Sequence, residues 1–438
     1  MPLPSKLRRN FSANICAEID RPLTVMASES KASVAVRSGD DFLSHRLQSL
    51  DAYRGLIMVA LAFNGFGIAK TATLMLKENP DSGFWSAALY QFSHVEWVGC
   101  AFWDLIQPSF MFMVGVSMAY SYVNRKKRGD SYQRMLVHAF TRALVLILLA
   151  VFLSSAWAKQ TNWSFTNVLA QIGLGYGFLF LLWGKSFRIQ AITAGVLLGV
   201  TWVLFVAYPT DGIESETGDE AVGVSAEWAQ ENHQHVSKLW HKNANAFHAA
   251  DRWFLNLFPR ETPFEFNRGG YQTLNFVPAL VTMIFGLMTG ELLRSSRTPR
   301  EKLRLLAMAG FVGILVGSLL SLFGICPIVK RIWSPSWALY STGICALILA
   351  ALYFVIDVKG HRRWAFPFVV VGLNSIFVYC LAQLLKPWTG RQLQIHLGEN
   401  AFNIFGDNWQ PFVQCNLIGL CFWLICYLMY RQRIFIRI

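Results

Sequence analysis

Between Phe92 and Gly115 the chain reads F-S-H-V-E-W-V-G-C-A-F-W-D-L-I-Q-P-S-F-M-F-M-V-G. His94, Glu96, Asp104, Gln107 and Pro108 thus stand at the mouth of a long apolar run. Ionisable groups in such a place cost a few kcal/mol each, so they have a partner or a job. A neutral imidazole there can take a proton from an incoming hydroxyl or amine, or can itself accept an acyl group. A carboxylate at Asp104 would orient that imidazole as the third member of a triad does. Plainer readings stand beside these. His94 alone is more simply an interfacial histidine bonded to a loop, and Asp104 equally a buried partner of Asn64 or Gln107. Asn64 lies mid-way along an earlier apolar run, where an amide bonds another helix or a ligand. Asp51 and Arg54 are spaced to pair with each other at i, i+3.

The elements that would position these groups are membrane helices. The chain has 438 residues, 54% of them hydrophobic, 15% charged, and a mean hydropathy of +0.37. Soluble proteins carry roughly a quarter charged residues. Ten runs are long enough to span a bilayer: about 52–73, 100–123, 135–156, 168–183, 189–208, 274–293, 305–323, 337–356, 364–385 and 412–430. The expected fold is therefore all-α, a polytopic bundle of about ten transmembrane helices. The net charge of +13 comes in short clusters between runs, such as Arg125-Lys126-Lys127-Arg128 and Arg294 to Arg304. That is a topology signal and no sign of nucleic acid. Alternate connections hold these clusters, which places both termini in the cytoplasm and His94 outside. Lys330-Arg331 is the exception, a basic pair on the outer side. The eight cysteines have no CxxC spacing and lie mostly within apolar runs. Residues 1–45 are polar and without an apolar core segment, so they are expected to be a disordered cytoplasmic tail, with a membrane domain over 46–438.

The one sizeable outer loop, about 209–273, opens acidic, continues through an expected helix around 226–250, and ends in F-N-R-G-G-Y-Q-T-L-N-F. Gly269-Gly270 marks a turn where backbone can approach a ligand. His233, His235, His241 and His248 look like a metal set but lack accompanying Cys or carboxylate ligands, so no metal is expected. Gly195/Gly199, Gly286/Gly290 and Gly313/Gly317 are G-x-x-x-G pairs that imply close helix packing. No nucleotide-binding loop or nucleophile elbow is present. No inverted repeat is evident, which weighs against a transporter.

Several blocks, taken together, resemble the transmembrane acyltransferases typified by heparan-α-glucosaminide N-acetyltransferase and its bacterial relatives. They are H-R-L-Q-S-L-D-A-Y-R-G from His45, with Asn64 after it; H-x-x-W-x-G-x-x-x-x-D-L-x-x-P-x-F-x-F-x-x-G from His94; and G-Y-Q-T-L-N-F-V-P from Gly270. Later come P-I-V-K-R-I-W-S-P-S-W from Pro327, D-V-K-G at Asp357, G-L-N-S-I-F-V-Y from Gly372, and the ending Y-R-Q-R-I-F-I-R-I. The resemblance implies a catalytic histidine at His94, a site asparagine at Asn64, cytoplasmic acetyl-CoA as donor, an amino-sugar acceptor on the far side, and a homodimer. At 168–173 the chain reads V-L-A-Q-I-G where the family tends to V-L-Q-R-x-G, and the outer loop differs from the animal enzyme's.

The expected site therefore has three parts. His94, Asn64 and Asp104 are the catalytic group. Arg54, Lys359 and Arg431, near the cytoplasmic ends, are expected to hold the CoA phosphates. Asp251, Asn256, Gly270, Tyr271, Asn275 and Asn374 are expected to meet a glycan or amino-sugar acceptor. Localisation is expected in the lipid bilayer of the inner (cytoplasmic) membrane, multi-pass. The competing classes are a sugar or solute transporter using the same polar residues, and a non-enzymatic scaffold.

Overall fold

A computed structural model describes residues 47–209, 220–234 and 236–436. The expected N-terminal tail, the acidic opening of the outer loop and His235 lie outside the described residues. Everything described is helix, turn or loop, with one isolated antiparallel bridge between Val98 and Val329. The α-helices are α1 Gln48–Ala62, α2 Ile68–Glu78, α3 Gly83–Phe92, α4 Ile106–Lys127, α5 Tyr132–Ser155, α6 Val168–Leu182, α7 Phe187–Val206, α8 Ala226–Asn232, α9 Ala246–Phe254, α10 Phe276–Arg294, α11 Pro299–Leu322, α12 Pro335–Leu352, α13 Phe366–Gly372, α14 Ser375–Leu384, α15 Lys386–Leu397 and α16 Gln410–Arg431. Side chains of Ser131, Asn167, Ser186, Thr298 and Ser334 accept a first-turn N–H where α5, α6, α7, α11 and α12 begin. Such caps fix where each helix starts. Asp357 does the same across the fold, accepting the N–H groups of Gln48 and Ser49 at the start of α1 at 3.1 and 3.2 Å.

Six helices are long and apolar enough to cross a membrane, and eight spans result if each of two bent pairs counts as one. The chain is thus a multi-pass membrane protein with six to eight such segments, against about ten expected. The difference has a physical basis. The first run is broken: α1 and the following helix meet at 49°, and α13 and α14 at 67°. α6 has only 15 residues. α4 is long, but half of its residues are buried, so polar side chains on it need never face lipid. α10 and α12 are mostly enclosed, whereas α5, α7, α11 and α16 turn apolar side chains such as Phe140, Leu148, Ile192, Phe311 and Leu428 outward. A helix exposing that surface needs a hydrocarbon environment.

Close packing at the centre depends on glycine. A Cβ on Gly115 of α4 would sit 1.9 Å from the Met283 carbonyl oxygen of α10, and one on Gly286 would sit 2.1 Å from that of Phe112. Gly313 and Gly317 do the same for α11 against α12. Gly195 and Gly199 do not fit the expectation: nothing lies within 4 Å of a Cβ at either, so that pair faces outward on α7.

Candidate active site

His94 stands two residues past the end of α3, and Asp104 sits in a short 3-10 turn, Phe102–Leu105, just ahead of α4. Asp104 therefore lies at the mouth of the apolar run, as its position in the sequence suggests. The loop between them folds around the carboxylate. Val95 N–H and Ala101 N–H both donate to Asp104 Oδ2 at 3.2 Å. Asp104 Oδ1 faces His94 Nδ1 at 2.7 Å. A third group completes the cluster: Lys330 Nζ lies 3.2 Å from Asp104 Oδ1 and 3.0 Å from His94 Nδ1. The side chains of Asp104 and Lys330 are 2% and 7% exposed, while that of His94 is 41% exposed. The imidazole is therefore reachable from outside and its two charged neighbours are dry. Burial pushes Asp104 toward neutrality, but the hydrogen bond with His94 and the charge of Lys330 outweigh it and hold the carboxyl below the usual range. Burial lowers Lys330 to about 8, with Asp104 offsetting part of the effect.

Three further segments converge on this mouth. The Val98–Val329 bridge, with Gly99 N–H donating to Ile328 O at 2.9 Å, brings the 324–334 connection against the His94 loop. Arg331 then clamps it, donating to Val95 O (3.4 Å), Gly269 O (3.0 Å) and Glu96 Oε2 (3.2 Å). The Gly270 turn lies underneath: its φ is +78°, and a Cβ there would stand 3.0 Å from the Trp97 ring. Tyr271 is adjacent, its ring centre 5.9 Å from Lys330 Nζ. Burial pushes its phenol up to about 12. Trp97 is fully buried and donates its indole N–H to Trp240 O at 3.0 Å, which ties the outer loop to the site.

The expected acceptor residues divide. Gly270 and Tyr271 lie at the mouth. Asn275 donates to Arg331 O at 2.8 Å, and Asp251 accepts the Thr273 N–H at 2.9 Å. Both are buried supports of the same turn. Burial raises the Asp251 carboxyl to about 6, and its Oδ1 has no hydrogen-bond partner among the described residues. Asn256 does not join them. It is exposed and latches its own loop, bonding Arg252 O and both backbone groups of Phe264. It lines a shallow hollow with Arg252, Trp253 and Glu265 that no neighbour of His94 shares. Asn374 is placed elsewhere again. It is buried at the α13–α14 break, donates to Ile434 O and accepts from Ile436 N–H. These residues follow α16, whose 22 residues extend about 33 Å from the His94 side, so Asn374 belongs to the opposite end of the bundle.

Asn64 is not mid-helix. It opens a turn in which Asn64, Gly65, Phe66 and Gly67 all have positive φ (52°, 60°, 57° and 72°), and its side chain is exposed. The turn borders the site, since a Cβ on Gly65 would lie 3.2 Å from Trp103, whose ring is 6.4 Å from that of His94. Arg54, Lys359 and Arg431 belong to the far end. Arg54 pairs with Asp51 (3.7 Å) and donates to Ser117 Oγ (2.8 Å). Lys359 lies over Phe354, and Arg431 bonds Tyr427 OH at 3.2 Å. Beside Lys330, in the 324–334 connection and the first turn of α12, the buried indole N–H groups of Trp333 and Trp337 have no hydrogen-bond partner among the described residues.

The outer-loop helix expected over 226–250 is two short helices, α8 and α9. Three of this loop's histidines are buried: His233 and His241, between the two helices, stack at 3.8 Å, and His248, inside α9, is lowered to about 4 by burial. His233 Nε2 accepts the Lys242 N–H at 3.2 Å, and His241 Nε2 donates to Val236 O at 2.9 Å. Cys100 and Cys326 are free thiols. Lys330 is the site residue that sequence reasoning passed over. Its signal was present, as half of the one basic pair on the otherwise charge-poor side.

No protein-family profile matches the chain. Over 436 residues it is 24% identical to heparan-alpha-glucosaminide N-acetyltransferase of Homo sapiens, covering 90% of this chain and 60% of that protein. Over 440 residues it is 24% identical to the Mus musculus protein of the same name, covering 90% of this chain and 61% of that one. The chain is a distant relative of these N-acetyltransferases and spans about three fifths of their length.

Proposed function

We propose that this distant relative of the heparan-alpha-glucosaminide N-acetyltransferases is a membrane-embedded acyltransferase. It would move an acetyl group from cytoplasmic acetyl-CoA to an amino sugar or other envelope glycan at the outer mouth. The observation that carries the reading is the 2.7 Å contact between Asp104 and His94, with Asp104 buried and His94 open to the outside. With Nδ1–H donated to the carboxylate, Nε2 is left as the basic nitrogen. His94 takes the proton of the attacking amine or hydroxyl as its bond to the acyl carbon forms. The C–S bond breaks, and the proton passes on to the departing thiolate. Asn64 supplies an amide N–H to the carbonyl oxygen as it gains charge. Gly270 and Tyr271, braced by Asp251 and Asn275, meet the acceptor.

Acetyl-CoA brings the activated thioester. The fit on the protein side is twofold: Arg54, Lys359 and Arg431 supply cations at the far end, and the Trp333 and Trp337 N–H groups are buried donors in search of an acceptor. The reading counts α4 and α6 with the eight apolar spans, giving ten crossings with both termini cytoplasmic, in an inner membrane and as a homodimer. The basic clusters support that orientation.

The test is to incubate the purified protein with radiolabelled acetyl-CoA, with and without glucosamine, for wild type and His94→Ala. Label on glucosamine that is lost in the variant is the expected result. Label that remains on the wild-type protein would add an acyl-histidine step. Full activity in His94→Ala, or glucosamine uptake into vesicles with no acylated product, would overturn the reading.

A further inference from the structure

We infer that Lys330 is a positioning residue that balances the charge of Asp104 beside His94 while the Nδ1 hydrogen stays donated to the carboxylate; the inference rests on the acyltransferase reading above. His94 Nδ1 has a single position for a hydrogen or a lone pair, yet two groups lie against it: Asp104 Oδ1 at 2.7 Å and Lys330 Nζ at 3.0 Å. An ionised carboxylate can only accept and an ammonium can only donate. The shorter contact, to a carboxylate already fixed by two backbone N–H groups, takes the Nδ1 hydrogen. The ammonium then directs a hydrogen to the same Oδ1, 3.2 Å away. One carboxylate oxygen therefore serves two cations-in-waiting, and its charge is already balanced by Lys330 before His94 gains a proton.

The consequence is electrostatic. Without Lys330, a buried Asp104 alone would favour the imidazolium over the neutral imidazole. With Lys330 in place, protonating His94 sets two positive charges beside one negative charge in a site closed on the protein side. Lys330 therefore offsets the pull that Asp104 would exert on a second proton at His94. The proton that His94 takes from the acceptor is readily given up to the thiolate, so base and acid steps are both served. The other groups around the pair do not replace this effect. Glu96 is drawn away to Arg331 at 3.2 Å, and the Arg331 guanidinium is spent on Glu96 and two carbonyls. Cys100, pushed up to about 12, and Tyr271, also up to about 12, remain neutral. Trp103 offers only a ring face. Lys330 is held in place by the bridge of its neighbour Val329 to Val98 and by burial, so the cation cannot swing into water.

The experiment reads the protonation of His94 directly. Detergent-solubilised wild type, Lys330→Met and Lys330→Arg are treated with diethylpyrocarbonate, which modifies neutral imidazole, across pH 5 to 8. The extent at residue 94 is followed by peptide mass spectrometry, with His94→Ala fixing the background. Acetyl transfer is measured on the same samples over the same pH range. The midpoint for His94 should rise by about one unit or more in Lys330→Met, because a like charge beside the imidazole is gone. The acid limb of the rate profile should move up with it, and Lys330→Arg should stay near wild type. A Lys330→Met midpoint equal to that of wild type overturns the inference, whatever the activity. Should the methionine protein fail to fold, Lys330→Gln carries the same comparison. Absence of acetyl transfer in wild type would overturn the acyltransferase reading while the modification midpoints still decide the role of Lys330.

Discussion

Val98 and Val329 pair across an isolated antiparallel bridge, and that pairing places Lys330 against His94. The bridge joins two connections from distant parts of the chain on one end of the bundle. A histidine, a carboxylate and an ammonium then share a few ångströms that no local sequence pattern specifies.

The dependence of the site on its charge balance is testable by stability. Asp104→Asn removes the anion and leaves Lys330 buried without a counter-charge, a loss of about 3 kcal/mol. Adding Lys330→Met should recover a large part of that loss, so the two substitutions will be non-additive in a double-mutant cycle read by thermal unfolding. Asp104→Asn, with or without Lys330→Met, should lose acetyl transfer by about a thousandfold or more, because Asn can hold His94 in the wrong tautomer.

Asn64 separates chemistry from packing. Its left-handed backbone favours glycine, so Asn64→Gly should leave the protein at least as stable as wild type. If the amide steadies the developing oxyanion, kcat should still fall by about a hundredfold, with little change in KM. Unchanged kcat would remove Asn64 from the catalytic group.

Asp251 predicts a pH-dependent stability of definite sign. Its carboxyl is raised to about 6 from 3.8, so the folded state binds that proton more tightly than the unfolded chain. The associated stability is complete below about pH 4 and is lost as pH rises through 6. Asp251→Asn should flatten this decline, worth about 3 kcal/mol at most, while its amide oxygen continues to accept the Thr273 N–H. Thermal midpoints measured at pH 4, 6 and 8 check it.

Two glycines give opposite outcomes. Gly115→Ala forces α4 away from α10 and should lower stability by about 2 kcal/mol or more. Gly195→Ala, on an open face of α7, should be neutral or add up to about 1 kcal/mol through helix propensity. Equal effects would show that α4 and α10 do not pack as closely as described.

Much of this was legible one residue at a time. Apolar runs of span length identified membrane helices because a bilayer leaves the backbone no other partner than itself. His94 and Asp104 stood out because ionisable groups at such a mouth are costly, and their spacing already allowed contact. What the sequence could not supply was anything that depends on two distant segments meeting. The broken first span turns on the left-handed run at Asn64–Gly67, an N-G-F-G turn signal outweighed in the sequence by the apolar residues on either side of it. Asn256 and Asn374 looked like ligand groups until the fold gave them backbone partners. Lys330 looked like an exception to a charge rule. Sequence alone determined the class of molecule and singled out the pair to which the proposed chemistry is assigned, because those follow from local cost and spacing. Tertiary structure decided which cation stands beside that pair, because only packing brings a buried ammonium within 3.0 Å of an imidazole from the other end of the chain.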